Sequence, residues 1–370
     1  MIREFTDMKQ KSIFLAAGGT GGHVYPAYAL AAHLIQEGYD VTLLTDRRGA
    51  SYPKCSLSLK VVQLPLGRKG GGIFSLGRWL FSMVFSVGIS FYHLIKESPS
   101  MVLGFGGFPS APTLVAAILL KPILHHKIIL HEQNAVVGKV NRWLIRFVDK
   151  VAVSFPKTWG IKKCWEGKVV VTGNFVRPEF REGFFYEPFQ EKGPIHILVI
   201  GGSQGARSFS TLVPHALKAL PAALKNRLCI HQQCRSETLE ATRAFYKDLH
   251  IKTIVESFFS NIPALMREAH LVICRAGSST VFEVATTKRP AIYIPFPYAM
   301  DNHQYFNALV IQNMGGGWIF DEAQEDKESL NKLVYDLLTT PKKLATASQN
   351  VHDLVKEDAA MCFSKLIQSL

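Results

Sequence analysis

Several short stretches of this 370-residue chain gather glycines, hydroxyls and titratable groups at spacings that suit an anionic ligand carrying a sugar. The stretch GGTGGH at 18–23 follows the apolar run SIFLAA and places Thr20, Gly21, Gly22 and His23 where a strand gives way to a helix. Backbone N–H groups at such a point face outward with the positive end of the helix dipole, which favours a phosphate or a sugar hydroxyl. An imidazole directly behind the glycines has little core to join, so His23 is a candidate base. A second such turn, GFGGFP at 104–109, is either a further ligand loop or a close-packed bend. HEQN at 131–134 ends a strand with four polar side chains, which is costly unless they line a site.

The second half repeats the pattern more densely. GGSQGA at 201–206 follows IHILVI, and LVIC runs into RAGSSTVFEV, with Ser278, Ser279 and Thr280 at a helix start and Glu283 one turn later. Hydroxyls and unpaired N–H groups there suit a diphosphate, and a carboxylate in the first turn can accept both hydroxyls of a ribose. The alternative is an ordinary capped helix with an acid at its positive end. After AIYIPFP, the segment AMDNHQYFNA sets Asp301, His303 and Gln304 at another helix start, as recognition of sugar hydroxyls requires. No D-x-D sequence occurs, so the carboxylate pair that commonly holds a divalent metal against a sugar nucleotide is missing and no metal or cofactor is expected. Arg177, in GNFVRPEF, is the candidate cation for a diphosphate leaving group.

The glycine loops need strands and helices to hold them. Strand-like runs at 41–45, 127–133, 228–233, 271–274 and 291–296 alternate with helical patterns at about 26–37, 111–120 and 208–220. Alternation in two copies predicts two doubly wound parallel sheets with crossover helices. A linker-like mixture of proline, glycine and charge at 185–194 places the join before Ile195. The last stretch, 352–370, reads as helical and could pack on either half.

Hydrophobic residues at 48% and charged ones at 19% exclude a disordered or fibrous chain. Residues 1–190 hold 23 Lys and Arg against 12 Asp and Glu, while the remaining 180 hold 19 against 17, so nearly all of the +13 charge lies in the first half. That half is expected to meet an extended anionic partner, unless its lysines are merely solvated. Six cysteines without a C-x-x-C pair read as reduced thiols, and the polar N-terminus lacks the core of a secretory signal. The apolar stretch 73–95 is interrupted by Arg78, serines and His93, which argues against a membrane span. It is expected to form one or two helices, either wholly buried or with Trp79, Phe81 and Phe85 on a lipid surface.

The order GGTGGHVYPAYALA, GFGGFPSAP, HEQN, TGNFVRPEF, GGSQGARSFS, CRAGSSTVFEVATTKRPAIYIPFP and DNHQYFNAL resembles the bacterial peptidoglycan N-acetylglucosaminyltransferases over nearly the whole chain. The resemblance implies a GT-B glycosyltransferase, α/β in class, with two doubly wound Rossmann-like domains facing a deep cleft. It implies an acceptor and membrane domain at 1–176, rejoined by a helix at 354–370, and a donor domain at 177–353. The implied reaction transfers N-acetylglucosamine from UDP-N-acetylglucosamine, with inversion, to the C4 hydroxyl of undecaprenyl-diphosphate-linked muramoyl pentapeptide. Carried over by motif, Thr20, His23 and Asn134 face the transferred sugar or the acceptor, Arg177 and Ser203 the diphosphate, and Glu283 the ribose. Phe259 falls where the family reads uracil through backbone groups. The implied location is peripheral, on the cytoplasmic face of the bacterial inner membrane, with proteins of cell-wall synthesis as partners and a role in cell shape and division.

Two positions depart from the family pattern: His303 precedes Gln304 where two glutamines are usual, and Phe108 replaces a tyrosine. Without a spanning segment, a membrane dock through Trp79, Phe81 and Phe85, with Arg68, Lys69 and Arg78 on anionic headgroups, accounts for the basic first half. The rivals are another GT-B enzyme or an epimerase acting on a UDP-sugar, a dehydrogenase with Asp46 as ribose acid, and a basic nucleic-acid-binding protein. No recognition motif supports the last, so nucleic acid is not expected as a partner.

Overall fold

The computed structural model describes residues 12–52, 58–67, 73–181, 183–202, 206–355 and 358–370. The chain divides into two units, one comprising Met1–Phe175 with Glu357–Leu370 and the other Val176–Lys356.

Among the described residues, the strands of the first unit are β1 (Ser12–Ala16), β2 (Asp40–Thr45), β3 (Lys60–Gln63), β4 (Met101–Gly104), β5 (Lys127–Glu132), β6 (Lys150–Val153) and β7 (Val169–Val171). They pair in parallel in the order β3-β2-β1-β4-β5-β6-β7. The second unit holds β8 (Ile195–Ile200), β9 (Leu228–Gln233), β10 (Lys252–Glu256), β11 (Leu271–Cys274), β12 (Ala291–Tyr293) and β13 (Gly317–Ile319), also parallel, in the order β10-β9-β8-β11-β12-β13. In each sheet the order reverses beside the first strand, between β1 and β4 and between β8 and β11. Glycine-rich sequence follows β1, β4 and β8, and the helix start at Ser278 follows β11, all at the carboxyl ends of these strands, where an open α/β sheet binds its ligands.

The central strands are buried on both faces and read as unbroken apolar runs for that reason. The helix Gly21–Gln36 buries Val24, Ala27, Tyr28, Leu30, Ala31 and Leu34, a spacing of three and four that lays one stripe on the sheet. It begins inside the glycine loop rather than near Pro26. Pro26 lies inside the helix and lacks the N–H that would meet the Gly22 carbonyl.

The last helix, Ala359–Gln368, belongs to the first unit. Its Phe363, Leu366 and Ile367 enter the core beside Val24, Leu34 and Phe175. Ser364 bridges to the helix Gly21–Gln36, lying 2.9 Å from His33 Nε2 and donating to Glu37 Oε2 at 3.0 Å. The proline-rich stretch 185–194 is not a spacer between units. It lies inside the second unit, with Phe189 in that unit's core.

The apolar segment forms one 25-residue helix, Ile73–Glu97. It is long and apolar enough by length and composition to cross a membrane, which corrects the expectation that no segment qualifies. It is also not wholly buried. Ser86, Ser90 and Leu94 face inward, with Ser90 Oγ 3.1 Å from Thr113 Oγ1 of the helix Ala111–Leu124, while Phe74, Phe81, Val84 and Phe85 face outward.

The first unit buries two histidines. His131 packs edge-on against Phe105, Phe175 and Phe363, and burial pushes its imidazole down to about 3. Burial also lowers His126, which lies beside the Ala117 carbonyl at 2.9 Å. An unfolded chain protonates both near pH 6.5 while the folded unit resists, so their contribution is complete above about pH 6.5 and is lost as pH falls. Urea unfolding of the first unit should lose about 1.4 kcal/mol per pH unit through His131 between roughly pH 6.5 and 4.5. His131→Leu should flatten that slope, whatever it does to stability at neutral pH.

Candidate active site

The two glycine loops of the first unit interlock. A Cβ on Gly18 would meet Pro109 Cβ at 2.6 Å, and a Cβ on Gly107, whose φ is +72°, would meet His23 Cδ2 at 3.0 Å. Only glycine allows both approaches. Thr20 and Gly21 are exposed at the start of the helix Gly21–Gln36, and Gly22 and His23 are half-buried. Asp46 receives N–H bonds from Gly19 at 3.2 Å and Gly49 at 3.0 Å, and pairs with Arg48. It closes loops, which deprives the dehydrogenase reading of its ribose acid.

HEQN is largely architecture. His131, Glu132 and Gln133 are buried, and only Asn134 is half-exposed. Glu132 accepts from Gly138 N at 2.8 Å, Asn141 Nδ2 at 2.9 Å and Asn134 N at 3.1 Å, which holds the backbone that presents Asn134. Gln133 Oε1 lies 3.0 Å from His23 Nδ1. These bonds offset the burial of polar groups that the sequence explained by exposure alone.

In the second unit the candidate residues share the carboxyl edge of the sheet. Ser278 is buried, and Ser279 and Thr280 are half-buried, at the start of the helix Ser278–Thr286 that Gly277 caps. Glu283 lies one turn on and accepts from Arg177 Nε at 2.8 Å. Burial raises the Glu283 carboxyl above the usual carboxylate range, and the Arg177 guanidinium opposes that rise. Arg177 also stacks over the Phe180 ring at 4.7 Å. The ribose and diphosphate candidates are therefore brought together as an ion pair.

After β12, His303 Nδ1 donates to the Met300 carbonyl at 2.8 Å, and Gln304 Oε1 accepts from Phe296 N at 3.0 Å. Each keeps its other polar end for a ligand. Asp301 and Asn302 turn the chain here with φ of +52°. Phe259 turns its side chain inward, edge-on to His231 at 6.2 Å, while Phe258 is exposed. Ser203 lies outside the described residues.

Of the lipid-facing candidates, Phe81 and Phe85 are exposed and stacked at 6.3 Å. Trp79 differs: it is half-buried and stacks on Phe108 at 5.0 Å. The aromatic ring that replaces the usual tyrosine thus packs on this helix. Arg78 is exposed, and Arg68 and Lys69 lie outside the described residues.

Arg275 was not singled out by the sequence. It pairs with Glu322 at 2.8 Å and donates to the Ile294 and Pro295 carbonyls and to Ser208 Oγ, joining three loops at the carboxyl edge of the sheet. Its signal was an arginine directly after an apolar strand. Asn307, fully buried, donates to the Ala276 carbonyl at 3.0 Å and fixes the helix His303–Asn313 to the same loop.

Two parallel doubly wound sheets, each with a helix N-terminus at its switch point, have the architecture of the GT-B glycosyltransferases, a class that the matches to known families and structures support. The glycosyltransferase family 28 N-terminal domain matches residues 13–153 and the family 28 C-terminal domain matches 196–363. The chain belongs to glycosyltransferase family 28. It is 38% identical to the UDP-N-acetylglucosamine--N-acetylmuramyl-(pentapeptide) pyrophosphoryl-undecaprenol N-acetylglucosamine transferase of Zymomonas mobilis, over 97% of this chain and 92% of that protein. It is 40% identical to the protein of the same name from Rhodospirillum rubrum, over 96% and 91%. Among solved structures, Acinetobacter baumannii MurG is 30% identical and covers 97% of this chain and 100% of its own, with a TM-score of 0.78. A kitacinnamycin glycotransferase at 15% identity and a TM-score of 0.69 shares the fold.

Arg275→Ala should leave Glu322 charged and unpaired in a largely buried position, at a cost of about 3–5 kcal/mol to the second unit. Urea unfolding of the variant measures it.

Proposed function

We propose that this glycosyltransferase moves N-acetylglucosamine from UDP-N-acetylglucosamine to the C4 hydroxyl of a muramoyl pentapeptide carried on undecaprenyl diphosphate, a step of peptidoglycan synthesis. The reading is carried by near-full-length identity to relatives named for that reaction, together with a helix N-terminus at each switch point. The acceptor oxygen forms a bond to the anomeric carbon while the bond to the diphosphate breaks. Configuration inverts, the hydroxyl proton passes to His23, and UDP leaves with the bonding electrons.

The residues divide the work by chemistry. The helix start at Ser278, Ser279 and Thr280, with Arg177 and the loop holding Ser203, balances the negative charge that grows on UDP. Glu283 takes the ribose hydroxyls, and the backbone around Phe259 takes the base. His303, whose Nδ1–H is already given to a carbonyl, offers Nε2 as an acceptor to a sugar hydroxyl, and Gln304 offers its amide donors. Thr20, Gly21, Gly22 and Asn134 position the acceptor beside His23. The domains assigned to acceptor and donor are 1–176 with 354–370, and 177–353.

Placement on the cytoplasmic face of the inner membrane fits an acceptor whose polyprenyl tail stays in the bilayer. Phe81 and Phe85, joined by Phe74 and Val84, form the apolar face, and Arg78 adds charge. Through the wall, the activity serves cell shape and division, alongside other proteins of wall synthesis.

A transfer assay with lipid-linked muramoyl pentapeptide and either UDP-N-acetylglucosamine or UDP-glucose tests the reading directly. Turnover confined to the first donor supports it, and absence of turnover with this acceptor overturns it. Glu283→Ala should weaken UDP binding by about 1.5–3 kcal/mol for each charge-assisted bond removed, measured by calorimetry. His23→Ala should lower kcat by about 10²- to 10⁴-fold with little change in donor affinity. The protein should sediment with anionic vesicles at low salt and leave them at high salt, since each basic residue near such a surface contributes about 1 kcal/mol. Equal binding to neutral vesicles would contradict the electrostatic dock.

A further inference from the structure

We propose that Gln133 is a positioning residue that holds His23 in one tautomer, with hydrogen on Nδ1 and the lone pair of Nε2 exposed as the basic atom. The inference rests on the reading of His23 as the general base.

The chain of assignments starts at a group with only one possible role. The Phe105 carbonyl can only accept, and Gln133 Nε2 donates to it at 2.9 Å, which fixes the amide end for end. Gln133 Oε1 must then be the atom 3.0 Å from His23 Nδ1. An amide oxygen only accepts, so the hydrogen lies on Nδ1 and neutral His23 has its lone pair on Nε2. The second Gln133 donor agrees with this orientation, because Nε2 lies 3.1 Å from His131 Nδ1. His131 is neutral through burial and therefore accepts there while carrying its hydrogen on Nε2, which lies 3.1 Å from Ser154 Oγ.

Gln133 is buried, at 1% exposure, and a flipped amide would set its oxygen against the Phe105 carbonyl. The His23 ring is also confined, since Gly107 leaves no space for a Cβ against its edge. Nothing else in the function assigned to HEQN uses this glutamine: Glu132 shapes the backbone and Asn134 meets the ligand. The ordering of a histidine by its second ring nitrogen is a recurring device, and the tautomer decides which nitrogen reacts.

The test uses the full-length protein labelled with ¹⁵N histidine, with the His23 signals identified by their loss in His23→Gln. Wild type should show Nδ1 protonated and Nε2 bare at a pH where the ring is neutral. Gln133→Met keeps the volume but removes the acceptor, and should give a mixture of tautomers with kcat reduced about tenfold or more and KM for the donor unchanged. Gln133→Leu also removes the acceptor and should give the same mixture, and it serves if the methionine variant does not fold. A His23 that stays wholly Nδ1-protonated in Gln133→Met or in Gln133→Leu overturns the proposal. Unchanged kcat in His23→Ala overturns the general-base reading instead, and the tautomer measurement still decides the role of Gln133.

Discussion

In a parallel sheet whose strand order reverses beside the first strand, the connections on either side of the reversal leave toward opposite faces, and the backbone at the reversal is left without a cover. Both units are built around this constraint. In the first, Gly18 and Gly107 let the loops after β1 and β4 approach until Pro109 and His23 fill the gap. In the second, the order reverses between β8 and β11, and the helix Ser278–Thr286 starts at the carboxyl end of β11. The exposed helix starts follow from topology, and the proposed function assigns the selectivity to the side chains around them.

Buried polar groups hold these loops in shape. An unpaired buried carboxylate or amide costs several kcal/mol, so each must find partners, and the partners fix its geometry. Glu132 gathers three donors, Arg275 reaches two carbonyls, a hydroxyl and Glu322, and Asn307 ties a helix to the loop before Ser278. These residues touch no ligand in the proposed mechanism. They restrict the positions of Asn134, His303 and the helix start at Ser278, as catalysis by oriented groups requires.

The fold class was legible because long buried strands such as Ile195–Ile200 and Leu228–Gln233 read as apolar or alternating runs between helices. The strands Lys60–Gln63, Met101–Gly104, Lys150–Val153, Val169–Val171, Lys252–Glu256 and Gly317–Ile319 escaped notice, since three to five residues carry too little pattern to separate a strand from a loop. The glycine loops and the Ser278 helix start announced themselves through residue type. Gln133 and Arg275 did not, because their roles lie in partners far along the chain: Phe105 and His23 for one, Glu322 for the other. The packing of Trp79 was illegible for a related reason. A large aromatic in an apolar helix looks the same whether it meets solvent or, as here, the ring of Phe108.

The return of the last helix to the first unit makes that unit discontinuous, with the whole of Val176–Lys356 inserted into it. On the ribosome, the second unit emerges in one piece and can close its core as soon as it is out. The first unit cannot. Its sheet appears early, but the surface that awaits Phe363, Leu366 and Ile367 stays uncovered until residues 359–367 are synthesised. Until then the nascent chain carries an open apolar strip over Val24, Leu34 and Phe175, the kind of transiently exposed surface that favours aggregation.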